Sequence, residues 1–203
     1  MHVEWLTAEA EVFTSNGYLV TGDRTVLVDP GAMPDTVAAI EAHTDTLDAV
    51  VVTHQHGDHV GALEPVVDAF DPEVYAFADH PLRTVALADG DRVDIGDESF
   101  EAVHTPGHAD DHLAFVSETT LFSGDVVVHD DGAFSYGSFG RTDMPGQSRA
   151  VLVESIETLL ERMPDSVEWL YAGHGDTFHG DVRDVVETAL ERAKRFEPKY
   201  PEE

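Results

Sequence analysis

The most constraining feature of the sequence is the segment HQHGDH at residues 54–59, which directly follows the apolar run AVVVT at residues 49–53. An uninterrupted apolar run is typical of a strand that is buried on both faces. Gly57 allows the chain to change direction sharply after the strand. We therefore expect a buried strand that ends at the histidine cluster, followed by a helix.

The spacing within this cluster predicts a metal site. His54 and His56 are two residues apart, so their side chains point the same way in an extended segment and both can bind one ion. Asp58 and His59 begin the following helix and can turn towards a neighbouring point. An aspartate at the start of a helix can also serve as a cap. Because the motif is long and lies between a strand and a helix, we interpret it as metal-binding.

Three further candidate ligands lie in glycine-containing segments: His108 in TPGH, Asp125 in SGD and His174 in AGHG. Each follows a glycine, which lets the backbone approach closely and turn the side chain inward. His54 and these three residues all fall just beyond a predicted strand, where a sheet presents functional loops. One ion with four protein ligands is typically a closed structural site, whereas this set is large enough for two ions with open positions.

The pattern of apolar residues indicates a layered domain of mixed strands and helices, α/β or α+β. The 203 residues are enough for one core, so a single domain over residues 1–203 is expected. Strands are predicted at residues 18–21, 25–28, 49–53, 74–77, 100–103, 113–116, 120–123 and 167–171, and helices at about 34–44, 60–70, 148–162 and 181–195. The predicted inner face of the helix at 148–162 consists of Val151, Val153, Ile156, Leu159 and Leu160.

The charge balance limits the class of partner. The chain has 41 acidic and 11 basic residues, a formal net charge of −30. Such a charge repels nucleic-acid phosphates, so no nucleic-acid partner is expected. Self-repulsion also destabilises a compact chain unless salt screens it. We interpret the acids, which are spread along the chain, as adaptation to a high-salt cytoplasm, and an acidic protein of an ordinary cell is the alternative.

Other features of the composition bear on chemistry and location. The chain has no cysteine, so thiolate catalysis, disulfides and cysteine-ligated metal are excluded. No apolar run approaches the about 20 residues that span a bilayer, and no membrane partner is expected. The first residues show no basic or apolar export signal. A cytoplasmic location is therefore expected, and the oligomeric state is left open.

The combined motifs resemble the metallo-β-lactamase-fold superfamily. The resemblance covers the early segments GYLV and VLVDPG, the cluster at 54–59, and the segments TPGH, LFSGD and AGHG that contain His108, Asp125 and His174. It implies a four-layer αββα sandwich with metals at one edge. It further implies that the first ion is held by His54, His56 and His108, that the second is held by Asp58, His59 and His174, and that Asp125 bridges them.

The expected mechanism follows from a two-metal centre. Two divalent ions, zinc or alternatively iron or manganese, bind a shared water and lower its pKa towards neutrality. The resulting hydroxide attacks a carbonyl carbon, and an ion stabilises the oxyanion. Asp58 orients the nucleophile or accepts its proton, and is the expected catalytic side chain.

Residues 139–146, FGRTDMPG, resemble a loop of glyoxalase II-like hydrolases and persulfide dioxygenases. The leading hypothesis is a glyoxalase II-like thioesterase that acts on small hydroxyacyl-thiol substrates. Arg141 is a candidate contact for an anionic thioester tail. Alternatively, Arg141 pairs with a carboxylate and holds the loop. The longer glyoxalase II enzymes carry a C-terminal helical region that grips glutathione, and this shorter chain leaves the thiol carrier open.

Other functions remain as alternatives. The first is an iron persulfide dioxygenase, in which the equivalents of His54, His108 and Asp125 hold a single iron. Lactonase activity is a further hydrolase alternative, and a non-catalytic metal-binding scaffold is the non-enzyme alternative. His112 and His179 lie near the ligand-bearing segments but are not assigned as ligands.

Overall fold

Two six-stranded sheets form the centre of the protein in the computed structural model, which describes residues 1–198. Residues 199–203 of the predicted domain lie outside the described residues. The first sheet contains β1 (His2–Trp5), β2 (Tyr18–Thr21), β3 (Val26–Val28), β4 (Ala49–Val51), β5 (Glu73–Ala76) and β6 (Val85–Ala86). The second contains β7 (Arg92–Ile95), β8 (Glu98–His104), β9 (Leu113–Val116), β10 (Thr120–Gly124), β11 (Trp169–Ala172) and β12 (Phe178–His179).

The strands of each sheet mix parallel and antiparallel pairs. In the first sheet β1 to β6 follow in sequence order, with β1, β2 and β3 antiparallel and the pairs from β3 to β6 parallel. In the second the order is β12-β11-β10-β9-β8-β7, and only β10 and β11 are parallel. The parallel pairs bring the carboxyl ends of several strands to the same edge.

Five helices cover the outer faces of the sheets: α1 (Thr36–Glu41), α2 (Gly57–Val60), α3 (Leu63–Phe70), α4 (Arg149–Arg162) and α5 (Val182–Lys194). One core cluster joins the first sheet to α1 and α3, a second lies between the two sheets, and a third joins the second sheet to α4 and α5. These three cores separate four layers, so the predicted αββα sandwich is confirmed. In residues 1–198, no helix combines the length and apolar character that crossing a membrane requires.

Strand β2 shows how the residue alternation builds two cores at once. Tyr18 and Val20 face the second sheet, whereas Leu19 faces the helices on the outer side. Successive side chains of a strand point to opposite faces, so a strand between two layers is apolar at every position. The run before the histidine cluster behaves in the same way, and all three residues of β4 are buried. The expected buried strand is therefore confirmed.

The helix predicted at 60–70 is two helices in the structure. The short α2 contains Asp58 and His59, and α3 starts afresh at Leu63. Pro65 accounts for the break, because a proline has no N–H to donate and is tolerated only in the first turn of a helix. Gly61 lies between the helices and packs so close to Ala32 that a side chain there would overlap it.

The predicted inner face of α4 is partly wrong. Leu152, Ser155, Ile156 and Leu159 are buried, whereas Val151 is exposed. Ser155 belongs to the buried face because its hydroxyl donates a hydrogen bond to the Pro106 carbonyl at 2.6 Å. A buried polar side chain with a partner is stable, although the apolar pattern of the helix does not include it.

Four strands were absent from the prediction: β1, β6, β7 and β12. Strand β7 alternates between exposed and buried residues, with Val93 and Ile95 inward. Its outward residues are charged, and its partner β8 is longer than the predicted 100–103. The strand forms because pairing with β8 satisfies its backbone.

Candidate metal centre

The seven predicted ligands lie at one edge of the sandwich, in the segments that follow the carboxyl ends of four strands. Residue 54 follows β4, residue 108 follows β8, residue 125 follows β10 and residue 174 follows β11. Asp58 and His59 lie in α2, which begins directly after the cluster's first two histidines. The structure brings these side chains together at this edge.

The first group of potential ligands is His54, His56 and His108. Their ring nitrogens lie within 4.8 Å of one another. His56 Nδ1 is 2.9 Å from His54 Nε2 and 3.0 Å from His108 Nε2. His56 has extended backbone angles at the start of α2, and this conformation turns its ring to the same side as His54.

The second group is Asp58, His59 and His174, again within 4.8 Å. His174 Nε2 lies 3.0 Å from Asp58 Oδ2, and His59 Nε2 lies 4.0 Å from the same oxygen. Asp58 does not cap α2, because the N-cap position is His56 and no side chain there caps the helix. Its carboxylate instead faces His174.

Asp125 lies between the two groups and contacts both. Its Oδ2 is 3.2 Å from His108 Nε2 and 3.6 Å from His174 Nε2, and its Oδ1 is 3.5 Å from His59 Nε2. Together with His54 and His59 it also forms a third potential ligand group. One buried carboxylate therefore contacts side chains of both the first and the second group, and the third group shares His54 with the first and His59 with the second.

Unsatisfied polar atoms show that this donor set fits a cation. His59 Nε2 and Asp125 Oδ1 are buried and make no hydrogen bond with any described residue. Buried polar atoms normally have a partner, and orphaned ones need an explanation. The available donors are imidazole nitrogens and carboxylate oxygens, which suit divalent zinc, iron and manganese. The cluster is a candidate divalent-metal site.

In the absence of a metal, histidines of the two groups have pKa values that are shifted in opposite directions. Burial lowers the pKa of His54 well below its usual value, and it also lowers the pKa of His56. Burial opposes a charge on His59 as well, but the carboxylates of Asp125 and Asp29 outweigh it and raise the pKa to about 10. For His174 burial is likewise outweighed, mainly by Asp125, and the pKa is raised. Protons in the second group thus supply charge that a metal would otherwise bring.

We therefore expect metal uptake to release protons mainly from the second group. The variant His56→Gln disrupts the first group and His174→Gln the second. At pH 7 the His56→Gln variant should release about one proton more per bound zinc than His174→Gln, because His59 and His174 must lose protons to bind. The zinc affinity of the His56→Gln variant should also rise with pH up to about 10, because His59 loses its proton over that range. Titration calorimetry in buffers of different ionisation enthalpy measures the release; equal release by both variants would contradict this assignment.

Asp29, in the segment VLVDPG, is not among the site residues that the sequence predicts. It is buried and adopts a positive φ of 53°. Its carboxylate accepts hydrogen bonds from the Thr53 N–H at 2.8 Å, from the Thr53 hydroxyl at 2.7 Å and from His59 Nδ1 at 2.8 Å. A carboxylate that binds one ring nitrogen orients the other towards a metal. Its position at a strand end, in Asp-Pro-Gly, was the available signal.

His108 is oriented by a backbone carbonyl. Its Nδ1 donates to the Arg141 carbonyl oxygen at 2.9 Å. Because a carbonyl can only accept, the proton lies on Nδ1 and the lone pair of Nε2 faces the ligand group. Arg141 thus contributes to the site through its main chain, a role that the sequence did not indicate.

His112 is buried behind the site and is not a member of any ligand group. Its Nε2 accepts a hydrogen bond from the Asp125 N–H at 2.9 Å, and its Nδ1 lies 2.8 Å from the Thr105 hydroxyl. Burial lowers its pKa well below the usual value, which agrees with a neutral ring that accepts at Nε2. His112 positions the backbone of Asp125. His179, in contrast, lies on β12 and stacks on Trp169.

Asn16 joins the two sheets beneath the His174 loop. Its side-chain amide donates to the Ala172 carbonyl at 2.9 Å and to the Gly175 carbonyl at 2.8 Å, on either side of His174. Gly173 itself must lack a side chain, because a Cβ there would lie 2.3 Å from Asp125 Oδ1. The predicted need for a glycine before His174 is confirmed.

A cleft of about 530 Å³ opens over the ligand groups. This volume falls within the usual range for small-molecule sites. Its walls include Phe13, Asp131, Arg141, Met144 and Gln147 besides ligand residues. The Arg141 guanidinium makes two hydrogen bonds to Asp143, at 2.8 and 2.6 Å, and the pair lowers the pKa of that carboxyl. The carboxylate pairing that formed one hypothesis for Arg141 is present.

Comparison with known proteins defines the fold. The Metallo-beta-lactamase superfamily profile matches residues 10–83, which include the cluster at 54–59. ETHE1 from Myxococcus xanthus superimposes with a TM-score of 0.75 at 22% identity, over 100% of this chain and 94% of that chain. The chain has the metallo-β-lactamase fold. TTHA1623 in a di-iron-bound form shares this fold with a TM-score of 0.68 and 29% identity, over 98% of this chain and 100% of that one.

Curated relatives match part of the chain. Hydroxyacylglutathione hydrolase from Francisella philomiragia subsp. philomiragia is 37% identical over 109 residues, which cover 51% of this chain. The match spans 43% of that relative, so this metallo-β-lactamase-fold chain covers less than half the length of the relative.

Proposed function

We propose that the protein is a metal-dependent hydrolase of the metallo-β-lactamase superfamily that acts on thioesters. The observation that carries the proposal is the set of three overlapping ligand groups, in which the group of His54, His59 and Asp125 shares one histidine with each of the other two. Seven side chains are more than one ion needs, and the groups divide them between two neighbouring positions. The similarity to TTHA1623 in its di-iron-bound form supports two ions.

The proposed assignment of ligands follows the geometry. His54, His56 and His108 hold one ion, Asp58, His59 and His174 hold the other, and Asp125 contacts both. Zinc is the proposed metal, with iron or manganese as alternatives. Two bound divalent ions would supply a water of lowered pKa and a Lewis acid for a carbonyl oxygen.

The protein's own groups have separate proposed roles. Asp58 is half-buried, and although burial opposes its charge, its hydrogen bond with His174 lowers the pKa, so it remains a carboxylate. Its Oδ2 can orient a water or accept its proton. Asp29 and the Arg141 carbonyl hold the rings of His59 and His108 in the orientation that ligation needs.

The thioester substrate is inferred from the curated relatives named hydroxyacylglutathione hydrolase. The matched region is less than half the length of these relatives, so the glutathione carrier is a separate question. A contact between Arg141 and an anionic tail stays a prediction, and it requires Arg141 to share its guanidinium with Asp143.

The mononuclear iron dioxygenase needs only His54, His108 and Asp125. It would leave the convergence of Asp58, His59 and His174 without a role, and for this reason we favour the hydrolase. A lactonase would use the same centre as a thioesterase. A scaffold would bind metal without turnover.

Metal content and turnover distinguish these functions. Protein purified at high salt should contain two divalent ions per chain and hydrolyse S-lactoylglutathione or a neutral thioester, with loss of activity on chelation and recovery with zinc. One iron per chain with oxygen uptake would establish the dioxygenase instead. Bound metal without turnover of thioesters, esters or lactones would establish the scaffold.

A further inference from the structure

Two large apolar side chains are exposed at the cleft. Phe13 is 81% exposed and Met144 is 50% exposed, and both line the cavity over the ligand groups. Single exposed apolar residues are ordinary on a protein surface. Two of them on the walls of the same cleft need an explanation, because most of the other residues that line this cleft are polar or charged.

Phe13 lies directly beside the second ligand group. Its ring stacks on His174 with centroids 5.6 Å apart and planes at 16°. Met144 lies on the other side, because it also lines a smaller cavity next to His56 and His108. An apolar group attached to a carbonyl at the centre would therefore meet one of these side chains.

The chain around Phe13 is held in place although the ring is exposed. The Ser15 N–H donates to the Asp58 carbonyl at 3.0 Å, and the Asn16 N–H donates to the Gly173 carbonyl at 2.7 Å. The Thr14 hydroxyl accepts from the Ala32 N–H at 2.7 Å. The loop is thus bonded to both ligand-bearing segments of the second group, and the ring has a defined position over the cleft.

The charged side chains on the walls of the cleft also favour an apolar substituent over an anionic one. Arg141 is the one arginine or lysine among the described residues that line the main cavity, and two hydrogen bonds join it to Asp143. Asp131 adds a carboxylate to the same cavity. An anionic substituent gains little here, whereas an apolar one covers Phe13 and Met144 and removes them from water.

We propose that this cleft selects thioesters with a neutral, apolar acyl group, which packs against Phe13 and Met144. The choice of thioesters rests on the proposed function, but the apolar subsite itself does not depend on turnover. A flat aromatic acyl group such as phenylacetyl suits an exposed ring, because aromatic pairs add stabilisation beyond the buried area.

Binding of hydroxamates tests the subsite without a reaction. Phenylacetohydroxamate and acetohydroxamate bind zinc through the same group and differ in the apolar part. The zinc-loaded protein should bind the phenyl compound about tenfold more tightly, and Phe13→Ala should remove most of that ratio while acetohydroxamate binding changes less than about twofold. Phe13→Leu should keep part of the ratio. Phe196→Ala, which removes an exposed ring outside the cleft, is the matched control and should leave the ratio unchanged.

Measurements of turnover distinguish the apolar subsite from the proposed thioesterase function. With N-acetylcysteamine as the common thiol, the phenylacetyl thioester should exceed the acetyl thioester in kcat/KM, and Phe13→Ala should raise KM for the phenylacetyl compound only. The apolar subsite is overturned if the two hydroxamates bind with equal affinity. It is also overturned if Phe13→Ala leaves the ratio of their affinities intact. If the ratio holds but no thioester is cleaved, the subsite stands and the proposed thioesterase function falls.

Discussion

Replacing Asp125 by asparagine is expected to lower thioester hydrolysis by about 10²–10³-fold, the loss typical of removing a main charge-stabilising group. The carboxylate contacts His108 of the first group and both His59 and His174 of the second. An amide has nearly the same shape but no charge. Bound metal should fall below two ions per chain, which elemental analysis measures alongside kcat/KM.

The same substitution should destabilise the metal-free protein. Leaving a buried charge without its partner costs about 3–5 kcal/mol. The pKa of Asp125 is held well below its usual value, and the pKa of His59 is raised to about 10. The lost stabilisation is therefore greatest between about pH 4 and pH 6.5, where the unfolded carboxyl is ionised and the unfolded imidazole is charged. It should shrink as pH rises towards about 10.

Asp131→Asn is the matched control, because Asp131 lines the same cleft but belongs to none of the ligand groups. It removes one carboxylate from the cavity and should keep both metal content and the unfolding free energy close to those of the parent. Equal metal content in Asp125→Asn and the parent would show that Asp125 does not bridge two ions.

Salt is expected to have the second large effect. We propose that the chain is adapted to high salt, and its melting temperature should rise by about 10 °C or more between about 0.1 and 1 M KCl. The Debye length falls from about 10 Å to about 3 Å over this range. A rise of that size corresponds to about 3–5 kcal/mol for a chain of this length.

The physical reason lies in the imbalance of surface charge. With 41 acidic and 11 basic residues, carboxylates far outnumber the basic side chains that can neutralise them. One basic side chain can serve two carboxylates, since Arg162 pairs with both Asp89 and Glu101. Like charges on a compact chain repel one another, and salt reduces that repulsion.

Controls separate screening from other effects of salt. Melting is measured both with chelator and with excess zinc, so that metal binding does not account for the shift. Sucrose, which stabilises proteins without screening charge, gives the comparison. A melting temperature that is independent of KCl, or one that sucrose raises equally, would contradict adaptation by charge.

Local patterns in the sequence were sufficient to predict much of the candidate metal centre. The alternation of His54 and His56, the glycine before His174 and the position of each ligand after a strand depend on neighbours in sequence. A strand's periodicity and a glycine's freedom act over a few residues, so they can be interpreted without knowing the rest of the chain. The buried β4 and the order of strands and helices follow from the same short-range physics.

Contacts between residues that are distant in the sequence cannot be predicted from local patterns. The hydrogen bonds from Asn16 to the segment around His174 join parts of the chain more than 150 residues apart. The burial of Ser155 depends on the Pro106 carbonyl across the fold. Neither contact has a signature in the residues next to it.

The sequence by itself determined the residue types of the candidate metal centre and their positions just beyond predicted strands, because strand ends and residue spacing are local properties. Only the tertiary structure decided that Asp29 orients His59, that Arg141 is paired with Asp143, and that Phe13 stands over His174. These arrangements arise from the packing of two sheets against each other. That packing sets distances between segments that no local pattern specifies.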